Sequence, residues 1–175
     1  MKWELERHNW DEMAGGSDRL PGWIEELIGA ENTDEARRLL GRIESVVAPV
    51  NGPLRFGASA VAACLTQGLL SATSFARVEI LYLIFQLAGG AIGAPDSKLA
   101  SDVRREIELG LPIFCEIAET GTQPERLQCI DLLSLCARFN EAAMSRAVWV
   151  MRQIANLGEE ESTAVAVELD DLGKA

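Results

Sequence analysis

Histidine occurs once in this chain, at His8, so a zinc site or a His-based catalytic triad has almost nothing to build on, and no metal site is expected. No CxxC pair occurs among Cys64, Cys115, Cys129 and Cys136. Each of them sits among Ala, Leu and Ile, which reads as small buried hydrophobes in a reducing cytoplasm rather than a metal or redox site. GxSxG, HExxH and Gly-rich dinucleotide motifs are absent, and no cofactor is expected. Met1 to Glu6 lacks the apolar core of a secretory signal, and no apolar run reaches the roughly 20 residues that span a bilayer. The expectation is a soluble cytoplasmic protein with no membrane partner.

Positive charge is scarce as well. The chain carries 27 acids against 16 bases, a net charge of −11. Residues 1–48 hold 11 acids and 6 bases, residues 49–155 hold 10 and 9, and residues 156–175 hold 6 and 1. Both ends are acidic and the middle is nearly neutral. Neutralising a phosphate backbone needs clustered Lys and Arg, so nucleic acid is disfavoured as a partner and a basic protein is favoured.

What is present is organised around residues 53–90. From Phe75 to Ala88 almost every position after Arg77 is apolar, with no Gly or Pro until Gly89-Gly90, a length that suits a helix better than a strand. A helix apolar on all sides must be covered on all sides. The expected fold is therefore all-α, with helical layers flanking a central helix, in one domain spanning residues 1–175.

In chain order, Trp3 to Met13 suggests a short amphipathic helix with Trp3 and Trp10 on one face, capping the open end of a helical stack. Gly15-Gly16-Ser17-Asp18 marks a turn and N-cap, and a helix runs from Leu20 to Ile28. Thr33 is expected to cap a helix whose stripe is Ala36, Leu39, Leu40, Ile43 and Val47. Pro49 to Pro53 closes that pair. Leu54 to Leu70 reads as a helix with Phe56, Ala60, Val61, Cys64, Leu65 and Leu69 on one face, among small residues that allow close helix approach. Gly89 to Pro95 reads as a loop; it follows a helix and lacks the GxxxxGK(S/T) pattern of a phosphate cradle. Further helices are expected from Lys98 to about Glu108, broken near Gly110 and Pro112 and resuming at Ile113 to Ala118, then from Gln123 to Phe139 and from Glu141 to Leu157. The tail from Glu159 is expected to dock as a short helix or strand-like segment.

Three helix openings agree: Thr33 to Arg37, Thr73 to Arg77 and Thr122 to Arg126 all read TxxxR and lead into apolar helix. Each follows another helical run, starting at Leu20-Pro21, Val61-Ala62 and Leu111-Pro112, so a helix pair recurs after 41 and then 50 residues. The three arginines are expected to stack as a ladder, bonding turn carbonyls or carboxylates. On these residues the chain resembles the HEAT-repeat, armadillo-like family. Pro21 and Pro112 match its first-helix proline and Arg37, Arg77 and Arg126 its second-helix arginine, whereas Ala62 stands in place of a Pro and Thr33, Thr73 and Thr122 where Asp is common. The resemblance covers residues 20–138. It implies a short right-handed α-solenoid of three helix pairs, 20–48, 53–90 and 98–138, with an N-terminal cap at 1–19 and a C-terminal helix and acidic tail at 139–175. The Trp-rich start and the connection Asn51 to Ala60 also resemble small bacterial HEAT-like proteins found among the immunity proteins of polymorphic toxin systems.

The carboxylate pairs Glu25-Glu26, Glu106 with Glu108, and Asp170-Asp171 are too close in sequence to face one another on a helix and do not form a catalytic dyad. The expected function is non-enzymatic: an immunity protein that occludes the active site of a basic toxin domain. The alternatives are a general scaffold or chaperone and a HEAT-fold DNA-repair enzyme, the last requiring a basic groove that scattered arginines do not supply. The expected contact residues are Asp11, Asp18, Glu25 and Glu26 near the N-terminus and Glu159, Glu160 and Glu161 in the tail, each partnering a Lys or Arg.

Overall fold

The computed structural model describes residues 2–12, 17–49 and 52–174, and all regular structure among them is helical. Met13, the expected Gly15-Gly16 turn, and Val50-Asn51 of the Pro49 to Pro53 connection lie outside the described residues. The chain divides into two compact units, Met1–Ile107 and Glu108–Ala175, where the composition suggested one domain. The division falls inside the third expected helix pair.

The first unit opens with α1 (Lys2–Glu6), followed by 3-10 turns at Trp10–Glu12 and Ser17–Arg19. The helix expected to reach Met13 thus stops at its second turn. Trp10 Nε1 donates at 2.7 Å to the Leu5 carbonyl, which also accepts from the His8 N–H at 3.4 Å, and Trp3 projects into solvent, 85% exposed. The two tryptophans therefore share no face. α2 (Leu20–Ile28) carries Pro21 in its first turn and buries Leu20, Ile24, Leu27 and Ile28.

In α3 (Thr33–Val47) the expected stripe is buried, but the cap is Asn32 and not Thr33. Asn32 Oδ1 accepts from the Glu35 N–H at 2.9 Å, and the Glu35 carboxylate reaches back to the Glu31 N–H at 3.0 Å. Asn is the stronger cap, and its capture of the extended position moves Thr33 into the first turn. The next helix, α4 (Ala58–Gly68), starts later than Leu54. Gly57 has φ 98°, a left-handed conformation that ends the preceding connection. Ahead of it the Arg55 N–H bonds the Val47 carbonyl at 2.9 Å and the Arg55 guanidinium bonds the Ser45 carbonyl at 3.2 Å. These bonds satisfy the free carbonyls at the end of α3, and they hold Phe56 outside the core, 60% exposed.

α5 (Ser74–Ile92) is the core helix of this unit. It runs straight through Gly89-Gly90, where a loop was expected. No proline interrupts the chain before Pro95, and a glycine inside a helix costs only about 1 kcal/mol. Gly90 also gives room to Leu54, whose Cδ2 would lie 2.8 Å from a Cβ placed there. At 19 residues α5 is long and apolar enough to cross a membrane by length and composition alone. Here Ala76, Ile80, Leu81, Leu83, Ile84, Leu87, Ala88 and Ala91 are buried in a helix that packs with α2, α3 and α4. Cover is not complete: Phe75, Tyr82 and Gly89, seven apart, form an exposed line. α6 (Lys98–Leu109) buries Ala100, Val103 and Ile107.

In the second unit, α7 (Leu111–Thr120), α9 (Glu141–Ile154) and α10 (Glu159–Gly173) all pack on α8 (Gln123–Phe139). Cys129, Ile130, Leu132, Leu133, Cys136 and Ala137 of α8 are buried. The Glu125 carboxylate accepts from the Thr122 N–H at 2.6 Å and from its hydroxyl at 2.9 Å, closing the start of the helix. The tail is a full helix of 15 residues. All four cysteines are buried and free.

Gly57→Ala places a Cβ in the left-handed region and is expected to lower unfolding stability by about 1–2 kcal/mol, read as a lower denaturant midpoint at unchanged slope.

Candidate functional site

The repeated arginines are structural first. Arg77 Nη2 donates to the Ala72 carbonyl at 3.4 Å and Arg126 Nη1 to the Gly121 carbonyl at 2.7 Å, each five residues back in the turn before its helix. Thr73 completes the first of these turns, its hydroxyl donating to the Ala30 carbonyl at 2.7 Å and so tying the start of α5 to the end of α2. Arg37, shifted by the different cap, instead reaches Glu79 of α5 at 2.9 Å. Arg126 makes both kinds of bond: Nε and Nη2 also donate to Glu161 Oε1 of α10, at 3.1 and 2.8 Å.

That last pair corrects one expected contact residue. Glu161 is 1% exposed and turned inward, where Gln123 Nε2 adds a third donor at 3.4 Å. Its carboxylate docks the tail onto α8. The Arg126 hydrogen bonds hold its carboxyl below the ordinary value. Of the other six acids, Asp11, Asp18, Glu25, Glu26, Glu159 and Glu160 are all exposed. Glu160 accepts from Gln123 at 3.0 Å. The remaining five have no side-chain ion pair among the described residues. The first four belong to the first unit and Glu159 and Glu160 to the second.

Two further features were not found from sequence. In the first unit, Glu4 Oε1 lies 3.2 Å from His8 Nε2, one helical turn on, and the sulfur of Cys64 on α4 completes a set whose donor atoms all lie within 4.8 Å of one another. Arg7 Nη2 bonds Glu4 Oε1 at 2.9 Å and lies 3.7 Å from Glu106 Oε2. Burial first, and then the Glu4 carboxylate, push the Cys64 thiol up to about 12. It is therefore a protonated thiol at neutral pH and no nucleophile. The Glu4–His8 spacing was the available signal; Cys64, 56 residues away, gave none.

In the second unit a cavity of about 370 Å³ is lined by Cys115, Ala118 and Glu119 of α7, Arg146, Trp149, Val150, Gln153 and Ile154 of α9, and Leu157. Trp149 is 63% exposed at its rim. Burial raises the Cys115 thiol, and the Arg146 guanidinium partly opposes that. Nothing here assembles a nucleophile with a base. An exposed tryptophan beside an apolar hollow with an arginine is instead the composition of a protein contact.

α8 also carries Asp131, half-buried, whose carboxyl is pushed up to about 6 by burial and then by Glu168 of α10. The folded chain therefore holds this proton more tightly than the unfolded chain, and stability falls as pH rises through the window from the ordinary carboxylate value to about 6.

Asp131→Asn is expected to raise the melting temperature at neutral pH, with the gain fading below about pH 4, where the acid is protonated in both states. The Arg126–Glu161 pair has the opposite sign: its contribution is present above the ordinary carboxylate value and fades as pH falls through the lowered one. A double-mutant cycle of Arg126→Gln and Glu161→Gln is expected to show favourable coupling near neutral pH and none at about pH 2. No family model, curated protein or solved structure matches this chain.

Proposed function

We propose that the protein is a non-enzymatic binding module, and most specifically an immunity protein that neutralises a toxin by covering its active site with an acidic surface. The observation that carries this reading is the set of exposed acids near the N-terminus and at the start of α10. Asp11, Asp18, Glu25, Glu26 and Glu159 are exposed and make no side-chain ion pair among the described residues. Charge of this kind steers a basic partner and fixes its orientation. A helical scaffold loses little conformational entropy on binding, which suits tight inhibition. Trp149 and Leu157 offer apolar contact area in the second unit.

The HEAT-like reading belongs to the same proposal. Its support is the pairing of α2 with α3, α4 with α5 and α7 with α8, together with the arginine that bonds back into the turn at Arg77 and Arg126. A cytoplasmic site of action fits an inhibitor that protects the cell making the toxin.

Capture of partners by the tagged protein from cells of its own source tests the proposal. One stoichiometric basic protein is expected, released as salt rises. Reversal of Asp11, Asp18, Glu25 and Glu26 to Lys, or of Glu159 and Glu160 to Lys, is expected to weaken that complex at least about tenfold and flatten its salt dependence, with unchanged circular dichroism. A partner retained equally by both variants would overturn the assignment of the acids. Many substoichiometric partners would favour the scaffold or chaperone reading.

A further inference from the structure

The Glu4, His8 and Cys64 cluster has no part in the binding reading. Its donors differ in kind: a carboxylate oxygen, an imidazole nitrogen and a sulfur. They come from the middle of α1, from the residue two positions past its end, and from the middle of α4. Glu4 and His8 have side chains 19% and 17% exposed, and Cys64 is fully buried. We infer that these three side chains form a binding site for a borderline divalent cation of the zinc class, which fastens α1 to α4.

The geometry is close to that of a bound ion. Metal–nitrogen and metal–oxygen bonds of about 2.0–2.1 Å at a tetrahedral angle separate the two ligand atoms by roughly 3.3 Å. Glu4 Oε1 and His8 Nε2, hydrogen-bonded to one another, stand 3.2 Å apart, so an ion would take the place of the shared proton with little movement of either atom. With a metal–sulfur bond of about 2.3 Å the sulfur must come within roughly 3.6 Å of each. The present limit of 4.8 Å thus requires a shift of little more than 1 Å at most. A mixed S, N and O set suits zinc and disfavours magnesium or calcium, which take oxygen ligands. Three protein ligands leave a fourth position for water.

Charge and surroundings agree with this. As the cation binds, the metal–sulfur bond replaces the S–H bond and one proton leaves to solvent. The resulting thiolate and the Glu4 carboxylate then neutralise a doubly charged ion. Nearby, Glu106 pairs with Arg105 at 3.0 Å and lies 3.7 Å from Arg7, and the Arg7 bond to Glu4 Oε1 is an outer contact that orients a ligating carboxylate. His8 lines two surface clefts, one with Phe56, Ser59 and Asp102 and one with Leu5, Trp10 and Glu25, so the imidazole is reached from solvent. The segment also has need of a fastening. A helix of five residues is far below the length that is stable alone, and of α1 only Leu5 is buried.

Titration of the reduced full chain with Co²⁺, followed by competition with Zn²⁺, tests the site. One equivalent of Co²⁺ is expected to bind with a near-ultraviolet thiolate-to-cobalt charge-transfer band, and Zn²⁺ is expected to displace it and to raise the melting temperature. Cys64→Ala should abolish the band and the thermal shift. His8→Gln, at a position outside the core, should weaken binding by about 100-fold or more, beyond what an outer contact contributes. Cys115→Ala should leave both signals intact. Absence of the band in the unaltered chain, or equal binding by Cys64→Ala and His8→Gln, would overturn the assignment.

Discussion

The first unit depends on one constraint: α5 is too apolar to face water, so other helices must cover it. α2, α3 and α4 do so. The exposed positions of α5 are Ser74, Phe75, Tyr82, Gly89 and Ile92. Eight side chains of α5 are buried, at about 1.5–3 kcal/mol for each large one, which outweighs any single polar contact in the unit. The polar bonds have a different part. Thr73 on the Ala30 carbonyl and Arg37 on Glu79 fix where the covering helices sit along α5, because each joins one helix terminus or face to a specific place on another.

The second unit solves the same problem with α8 as its centre and adds a buried charge. Bringing Glu161 into the α8–α10 contact is tolerable because Arg126 meets it with two donors and Gln123 with a third. The acidic tail is thereby split by role: Glu161 docks the helix, and its exposed neighbours Glu159 and Glu160 remain on the surface. That separation lets an acidic surface be carried on a helix that is itself firmly attached. Asp131 weakens the same contact as pH rises, so the two ionisable groups on this seam oppose one another.

Much of the helical order was legible in the sequence because apolar spacing, Pro21 and Pro112 act locally, although α9 ends at Ile154 and not at Leu157. The stripe of α3 came from periodicity, and the bounds of α8 from the Gly121-Thr122 break before it and Asn140 after it. The misreadings have local causes of another kind. Asn32 outcompeted Thr33 for the cap, and Gly57 with φ 98° delayed α4. Gly89-Gly90 continued the helix, and Gly90 leaves room for Leu54. The inward turn of Glu161 was not legible, since nothing in a run of three glutamates says which one meets an arginine 35 residues back. The Glu4, His8 and Cys64 set was hidden for the same reason: its members meet only after α1 and α4 pack.

Native-state amide hydrogen exchange on the full chain tests most directly whether the covered helix holds the first unit together. The amides of Ile80 to Ala88 are expected to exchange only through global unfolding and to be the slowest of that unit, while those of Lys2 to Glu6 exchange through local opening at a far smaller free energy. Exchange of the α5 amides as fast as those of α1 would contradict the account, because it would mean that the apolar helix is not the element on which the others depend.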